Sequence, residues 1–300
     1  MAAALLACDW GTTNLRAWTL DEAGEVLLER DFPLGVSRLA AGEAQRRFES
    51  EVRPAMRAEG LPAVLCGMVG SNLGWTVVPY LDCPARASDL CSAMVEPAPG
   101  VRIAPGLRCR GIAGAPDVMR GEEVQVFGWL AGDEARRRGR RLLCHPGTHA
   151  KWILIEDETI VRFVTVMTGE LFAVLGKHSV LKSEAKADDE AAFDAGLAAA
   201  GDGGGLAARL FSARSRVVGG GEAAESTPSY LSGLLIGAEV ASAPGLLGLP
   251  ADTAVDLLGD AGLTRWYERA LRARGVRVQT YDGESAAVAG LFALFQTEAA

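Results

Sequence analysis

The sequence predicts an α/β protein built from two related domains. A unit of strand, glycine–threonine turn, strand, polar turn and strand occurs once in each half, beginning near residue 4 and again near residue 142. After residue 254 strands and helices alternate, which is typical of a parallel sheet with helices on its faces. We predict domains at 1–136 and 137–283. Packing of the C-terminal helix, 284–300, on the first domain is one alternative for that helix.

In the first unit, an acidic residue at the end of a strand precedes the glycine–threonine turn. The apolar residues 4–8 lead to Asp9, and Gly11, Thr12 and Thr13 follow. Gly11 lets the backbone approach an anion, successive turn amides form a concave anion site, and the hydroxyls can donate hydrogen bonds. Asp9 can hold a hydrated magnesium ion. An ordinary hairpin turn is the alternative, because such turns favour the same residue types.

The second unit repeats this order of elements. Residues 142–144 lead into the turn 145–151, which continues into an apolar strand at 152–155. A polar turn at 156–159 and a strand at 160–164 follow, as a polar turn and a strand follow the first unit. The repetition favours a functional interpretation, in which the two turns face one nucleotide across a cleft.

Between the two units, a glycine-rich turn offers a ligand position. Residues 43–59 are predicted to form an amphipathic helix, and 63–66 a buried strand that ends in this turn. Ligands of open α/β sheets bind at such strand ends. Ser71 and Asn72 could hydrogen-bond a polyol, and Trp75 could pack on its carbon face. A structural loop with a core tryptophan is the alternative.

The next helix begins with two acids. Residues 97–116 are rich in proline and are predicted to form connections and short strands. Apolar positions at helical spacing then predict a helix that begins at or just after Gly121, with Glu122 and Glu123 in its first turn. Acids there interact favourably with the helix dipole. The position between the two turns instead favours Glu122 as a carboxylate that accepts a proton from a substrate hydroxyl.

A glycine loop marks the C-terminal region. Elements predicted for the second half are a helix at 169–179, a buried helix at 230–241, strands at 254–258 and 276–281, and a helix at 284–295. Gly259 and Gly262 flank a loop that could admit adenine or ribose, and a plain connection between strand and helix is the alternative. Thr264 is the predicted N-cap of the following helix.

Composition restricts the class of protein. The 300 residues carry a net charge of −8, which argues against a nucleic-acid surface. An anionic substrate would need local cations, for which Arg16, Arg120 and Lys151 are candidates. The chain lacks an apolar run of about 20 residues and a basic amino-terminal segment, so we expect a cytoplasmic protein without membrane contact. The six cysteines are expected to be reduced core residues, and a homodimer is one option for assembly.

The motifs resemble those of a known superfamily. The run from Asp9 to Arg16, the turn at Gly147 and Thr148, and the loop at Gly259 look like the phosphate-1, phosphate-2 and adenosine motifs of acetate and sugar kinases, heat-shock chaperones and actin. This resemblance implies two ribonuclease H-like domains of the actin-like ATPase/sugar kinase fold, with a nucleotide cleft between them. The runs that resemble the 2-dehydro-3-deoxygalactonokinase family are DWGTTNLRAW, GMVGSNLGW, MRGEE, PGTHAKW, MTGEL and YLSGLLIGAEV.

The resemblance implies a reaction and a set of roles. The reaction is ATP- and Mg²⁺-dependent phosphorylation of 2-dehydro-3-deoxy-D-galactonate to its 6-phosphate in galactonate catabolism. Asp9 would order Mg²⁺. The residues implied to meet the transferring phosphate are Thr12, Thr13, Asn14 and Arg16; those implied to hold ATP from the second domain are Gly147, Thr148, His149, Lys151, Gly259 and Gly262; those implied to bind the sugar acid are Ser71, Asn72, Trp75 and Arg120.

One position departs from related carbohydrate kinases, which have an aspartate as base at the head of the helix before phosphate-2. This chain has Glu122 there, and Asp9 is the alternative base. Two other functions stay open: a kinase for another sugar acid or polyol, and an ATP-binding switch or sugar sensor of the same fold. A panel of acceptor substrates identifies the first, and the second would bind ATP without giving a phosphorylated product.

Overall fold

The computed structural model describes residues 2–201 and 204–299. These residues form two compact units. Unit 1 comprises the described residues of 1–140, 155–162 and 282–300, and unit 2 comprises those of 141–154 and 163–281. The domain boundary predicted at residue 136 stays a prediction, and each unit is described by itself.

Strands make up the sheets of both units. In chain order they are β1 (Ala3–Trp10), β2 (Leu15–Asp21), β3 (Val26–Phe32), β4 (Ala63–Cys66), β5 (Leu81–Asp82), β6 (Val95–Ala98), β7 (Val101–Ile103), β8 (Leu107–Arg110), β9 (Pro116–Met119), β10 (Arg140–His145), β11 (Ala150–Glu156), β12 (Thr159–Val166), β13 (Val255–Gly259) and β14 (Val278–Asp282).

Helices connect and cover these strands. In chain order they are α1 (Glu43–Arg47), α2 (Arg53–Ala55), α3 (Ala87–Ser92), α4 (Glu122–Ala131), α5 (Thr168–His178), α6 (Glu190–Ala200), α7 (Leu206–Leu210), α8 (Ser212–Val218), α9 (Thr227–Leu246), α10 (Ala261–Ala273) and α11 (Gly283–Ala299). A π-helical segment, Phe48–Val52, joins α1 to α2.

The main sheet of unit 1 is centred on β1. Its strand order is β3-β2-β1-β4-β7-β6, and β1 runs antiparallel to β2 and parallel to β4. Strand β1 is apolar and buried from Leu5 to Cys8, as a central strand requires. The register pairs Asp9 with Arg16 on β2 and with Cys66 on β4. Asp9 therefore lies where β1 and β4 both end, at the edge of the sheet that favours ligands.

Helices and a smaller sheet complete unit 1. Helix α11 packs against α4, and it also contacts α3, β1 and β4. The rings of Trp10 and Phe48 stack with their centroids 6.2 Å apart in the buried core. The predicted short strands within 97–116 are present, and β5, β8 and β9 form a separate three-stranded sheet. The long helix predicted at 43–59 ends at Ala55, because Arg57 adopts a positive φ of 52°.

Residues 155–162 of the second copy of the predicted repeat belong to unit 1, and the rest of that copy belongs to unit 2. The sheet of this copy has the order β12-β11-β10-β13-β14, and β10 runs parallel to β13 as β1 runs parallel to β4. Helix α9 is buried along most of its length and packs along α6. The predicted strands and turns of the repeat are thus confirmed. The helix predicted at 169–179 is also present, as α5.

One predicted helix start was wrong. The N-cap of α10 is Asp260, whose carboxylate accepts a hydrogen bond from Leu263 N at 3.2 Å, so Thr264 lies inside the helix. Both residue types cap helices well, and the helix starts at the first cap after β13 because an earlier start satisfies more backbone groups. Gly262 consequently lies in the first helical turn and not in a loop. None of the described helices is long and apolar enough to cross a membrane.

Candidate active site

Three carboxylates, Asp9, Glu122 and Glu123, form an acidic centre in unit 1. Asp9 lies at the end of β1, and the two glutamates begin α4. Electrostatic interactions link Glu122 to both of the other carboxylates. The acidic centre therefore lies between the strand that leads into the first glycine–threonine turn and the start of α4.

Two glycines hold this centre together. Gly67 and Gly121 have positive φ angles of 87° and 111°. A Cβ atom on Gly67 would lie 2.8 Å from Trp10 O and 3.1 Å from Asp9 Oδ1, and one on Gly121 would lie 3.3 Å from Gly67 Cα. Neither position accepts a side chain without displacing its neighbours. Three of the sequence runs that resemble the kinase family thus meet at Asp9.

The carboxyl of Asp9 is poised to change its charge near neutrality. The pKa of Asp9 is raised to about 6, chiefly by burial and also by the negative charge of Glu122, while Arg16 and a hydrogen bond with Cys66 oppose the rise. A carboxylate with a pKa close to the working pH is suited to accept a proton. It is also a carboxylate that a cation would stabilise, because its surroundings hold excess negative charge.

The two glutamates have different environments. Glu123 is fully buried, and both of its oxygens accept a hydrogen bond from Gly121 N at 2.8 Å. Burial, and then the charge of Glu122, raise the pKa of Glu123 to about 8. Glu122 is half-buried, and its Oε2 accepts a hydrogen bond from Arg120 N at 3.0 Å. Of the two, Glu122 is the one with solvent access.

The first turn directs its amides outwards because a neighbouring segment binds its carbonyls. The carbonyl oxygens of Gly11, Thr12 and Thr13 accept hydrogen bonds from the amides of residues 36, 37 and 35, each at 3.1 Å. A trans peptide places the next N–H opposite its C=O. The amides of Thr12, Thr13 and Asn14 therefore point to the other, exposed side, where they form a site suited to an anion.

The segment that supports this turn, residues 35–37, was not predicted. The Ser37 hydroxyl adds a hydrogen bond to Thr12 O at 2.7 Å, and Trp10 Nε1 fixes the preceding residue through Leu34 O. A Cβ atom on Gly35 would lie 2.0 Å from Thr13 C, so only glycine allows this approach. A single glycine after an apolar pair gives little signal in a sequence, which is why the support was missed.

Gly35→Ala tests the importance of this support. We expect the added methyl group to displace the turn, lower the free energy of unfolding by about 1–3 kcal/mol, and reduce the phosphoryl-transfer activity implied by the resemblance at least ~10-fold. Gly205→Ala is the matched control, because a Cβ atom there meets nothing within 4 Å. Thermal unfolding and steady-state rates measure both variants. Wild-type activity and stability of Gly35→Ala would contradict the arrangement.

Arg16 lies beside the acidic centre but is half-exposed. Its Nε is 3.9 Å from Asp31, and its Nη1 is 3.6 Å from Glu284. Ion pairs of this exposure contribute little to stability. Arg16 also interacts electrostatically with Asp9, its cross-strand partner. The guanidinium is thus near Asp9, where two weak ion pairs hold it, and its predicted contact with the transferring phosphate stays a prediction.

The glycine-rich loop after β4 is less open than its composition indicated. The Ser71 hydroxyl donates to Met68 O at 2.7 Å and accepts from Leu73 N, so it is engaged within the loop. The ring of Trp75 lies 5.5 Å from that of Phe48 and packs against the core. Asn72 is exposed. These contacts favour the alternative of a core tryptophan, and the substrate roles of Ser71, Asn72 and Trp75 stay predictions.

Arg120 is the most unusual cation of unit 1. Its guanidinium lies 4.3 Å from the centroid of the Tyr80 ring, and Nη2 donates to Val78 O at 2.7 Å. Its Nε and Nη1 are buried and have no hydrogen-bond partner among the described residues. Buried donors of a charged group without hydrogen-bond partners require an explanation, and an anion bound at another stage would satisfy these two.

In unit 2, the second turn lies against the start of α5. Thr148 and His149 are exposed, and His149 Nε2 lies 2.5 Å from Glu170 Oε2. Glu170 N donates to Thr148 O at 2.9 Å. The turn residues Gly147, Thr148 and His149 are therefore brought together on one side of α5.

The other predicted nucleotide contacts of unit 2 lie on three elements, β13, α10 and β11. Gly259 lies next to this turn, since a Cβ atom on it would be 3.8 Å from Pro146 Cδ. Gly262 is exposed at the start of α10, and Lys151 is buried on β11 with 5% of its surface accessible. The roles predicted for Gly262 and Lys151 stay predictions, and the burial of Lys151 does not favour a direct contact with ATP.

The chain is similar to one family over almost its whole length. A family model described as 2-keto-3-deoxy-galactonokinase matches residues 9–294. The Escherichia coli (strain K12) protein named 2-dehydro-3-deoxygalactonokinase is 38% identical over 293 residues, covering 97% of each chain. The residues matched by the family model include both turns and the acidic centre.

Solved structures agree with this similarity. A crystal structure of a candidate 2-dehydro-3-deoxygalactonokinase from Sinorhizobium meliloti has a TM-score of 0.84 at 33% identity, covering 98% of this chain and 99% of that one. The ADPNP-bound activator of 2-hydroxyisocaproyl-CoA dehydratase from Clostridium difficile has a TM-score of 0.53 at 11% identity, covering 99% and 96%. The second likeness concerns the fold alone. The predicted fold class is confirmed.

Proposed function

Because the chain belongs to the 2-dehydro-3-deoxygalactonokinase family, we propose that it uses ATP to phosphorylate 2-dehydro-3-deoxy-D-galactonate and releases the 6-phosphate. The observation that carries this proposal is the match to the family over residues 9–294, which includes Asp9 and both turns. Enzymes of this class are kinases, and a sugar acid is their acceptor. The position phosphorylated and the roles of individual residues are parts of the proposal.

The proposed site in unit 1 acts on the acceptor and the transferring phosphate. The amides of Thr12, Thr13 and Asn14 bind phosphate oxygens on the exposed side of the first turn. Glu122 accepts the proton of the attacking hydroxyl, with Asp9 as the alternative base. Phosphoryl transfer needs positioning and charge neutralisation more than covalent help, and a rigid turn and an adjacent cation, Arg16, supply both.

Asp9 is the proposed ligand of magnesium. Among the described residues, no group of three or more His, Cys, Asp or Glu side chains is arranged to hold a metal ion. Mg²⁺ commonly takes one or two carboxylates together with water and phosphate oxygens, so a single aspartate fits. When bound, the ion supplies positive charge to the phosphate oxygens.

Arg120 is proposed to bind the carboxylate of the sugar acid. Two sides of its guanidinium have no partner among the described residues, and a carboxylate matches the planar fork of an arginine. The stacked Tyr80 ring and the carbonyl of Val78 hold the fork in one orientation. This preference for an acid distinguishes the proposal from a kinase for neutral polyols.

In unit 2, the second turn is proposed to hold the outer phosphates of ATP through Gly147, Thr148 and His149. The loop at Gly259 is proposed to lie beside adenosine, and its proximity to Pro146 supports a shared ligand. The short contact of His149 with Glu170 fixes the histidine ring near this turn.

A coupled assay of ADP release tests the proposed function. Purified protein and Mg-ATP are combined with 2-dehydro-3-deoxy-D-galactonate, its gluconate epimer, glycerol, or no acceptor. We expect ADP release that requires the galactonate compound, with a phosphorylated acid identified by mass spectrometry. Release with another acceptor keeps the kinase and changes the substrate. Release without an acceptor, or none, favours a switch or a sensor instead.

A further inference from the structure

A buried carboxylate, Glu239, joins four elements of unit 2. It lies on α9 with 2% of its surface exposed. Trp152 Nε1 on β11 donates to Oε1 at 2.7 Å, and the Tyr267 hydroxyl on α10 donates to Oε2 at 2.8 Å. The Thr168 hydroxyl, on the first residue of α5, hydrogen-bonds in the same cluster, within reach of Glu239 and Tyr267.

Burying a carboxylate here costs free energy of desolvation, so its presence requires an explanation. Burial raises the pKa of Glu239, and the hydrogen bonds from Thr168, Trp152 and Tyr267 oppose that rise. Apolar residues of similar volume often stabilise a core as well as a buried charged group does. Its directional hydrogen bonds, however, fix the relative positions of the elements that supply the donors.

Thr168 connects this cluster to the second turn. A Cβ atom on the next residue, Gly169, would lie 2.5 Å from Gly147 O and 2.8 Å from Thr148 Cα. One residue further on, Glu170 N donates to Thr148 O at 2.9 Å. The first turn of α5 therefore rests directly on the backbone of the second turn.

We propose that Thr168 and Glu239 are a positioning pair that holds the second turn in the geometry that binds ATP. The inference rests on the proposed function, in which this turn holds the outer phosphates. Both residues are buried, and their side-chain oxygens hydrogen-bond within the cluster with Trp152 and Tyr267, so the role assigned to them is indirect. The pair acts on affinity for ATP through the start of α5.

The hydroxyl of Thr168 can be removed without changing the shape of the side chain. Thr168→Val should weaken ATP binding at least ~10-fold, measured by isothermal titration calorimetry without sugar acid. Thr168→Ser, which keeps the hydroxyl, should bind ATP within about threefold of wild type. In the kinase assay, Thr168→Val should raise KM for ATP and leave KM for the sugar acid within about twofold.

Tyr267→Phe is the matched control. It removes a donor from the same carboxylate, but Tyr267 lies on α10, whereas the backbone of the second turn contacts the start of α5. We expect it to lower Tm as Thr168→Val does and to bind ATP within about threefold of wild type. A purely structural role of the cluster predicts that the two variants lose ATP affinity in proportion to their loss of Tm.

The outcomes separate this inference from the proposed function. Wild-type ATP affinity in Thr168→Val, or equal losses in Thr168→Val and Tyr267→Phe, would overturn the positioning role and leave the kinase intact. Binding of ATP without a phosphorylated product refutes the proposed function, whereas the effect of Thr168→Val on ATP affinity would still support the positioning role. If Thr168→Val does not fold, Thr168→Ala carries the same expectation and the same test.

Discussion

Asp9→Asn is expected to lower kcat at least ~1,000-fold in a protein that stays folded. Asparagine has the shape of aspartate and preserves the packing against Gly67 and Gly121, but it removes the charge proposed to order magnesium. Losing the electrostatic stabilisation of a transferring phosphate costs several kcal/mol, which corresponds to this factor. Steady-state kinetics with Mg-ATP and the sugar acid measure it.

The pH dependence gives an independent readout of the same residue. The folded-state pKa of Asp9 is raised to about 6, so ionising this carboxyl lowers stability as the pH rises through that value. Above pH 6, Asp9→Asn should therefore be as stable as wild type or more stable. The wild-type kcat/KM should fall below about pH 6, where Asp9 takes up a proton.

Asp82→Asn is the matched control for Asp9→Asn. Asp82 is exposed and pairs with Arg108 at 2.8 Å on the small sheet of unit 1. Loss of a surface ion pair of this kind changes stability by about 0–1 kcal/mol. We expect kcat within about twofold of wild type. An Asp9→Asn enzyme with comparable kcat would remove Asp9 from the mechanism.

Glu122→Gln is expected to lower kcat at least ~100-fold and to leave ATP binding nearly unchanged. The substitution keeps the size of the side chain and the hydrogen bond from Arg120 N, but an amide cannot accept the proton of the substrate hydroxyl. A factor of this size is typical of a general base. Stopped-flow or steady-state rates give kcat, and calorimetry gives the affinity for ATP.

Glu123→Gln distinguishes a base from a simple interaction with the helix dipole. Both acids lie in the first turn of α4, so a dipole effect predicts similar small changes in stability for both. The pKa of Glu123 is raised to about 8, so this residue is largely protonated at neutral pH and resembles glutamine already. The kcat of Glu123→Gln should stay within about tenfold of the wild-type kcat. Unchanged kcat in Glu122→Gln would refute the base role and favour Asp9.

Much of the fold followed from local patterns. Apolar runs of four to eight residues predicted the strands, and glycine–threonine turns between them predicted the repeated hairpins. These predictions held because strand and turn preferences are decided by neighbouring residues. The start of α10 was missed because Asp260 and Thr264 are both good caps, and only the packed structure selects between them.

The candidate site was predictable in part for the same reason. The sequence singled out Asp9, both turns and Glu122, since their residue types carry the chemistry of phosphate binding and proton transfer. It gave no indication that Ser71 is engaged within its own loop or that Lys151 is buried. Such facts depend on contacts between distant residues, which no local pattern records.

By itself, the sequence determined the order of strands and helices, the repeated glycine–threonine turns and the chemical types available for phosphate transfer. Only the tertiary structure decided which of these groups contact each other. Residues 35–37 bind the carbonyls of the first turn, and the hydrogen-bonded cluster at Glu239 lies behind the second turn's neighbour, α5. In both cases, hydrogen bonds and close backbone contacts join residues that are roughly 20 to 90 positions apart in the sequence. The physical reason is that packing, and not local preference, sets the directions in which amides and carboxylates point.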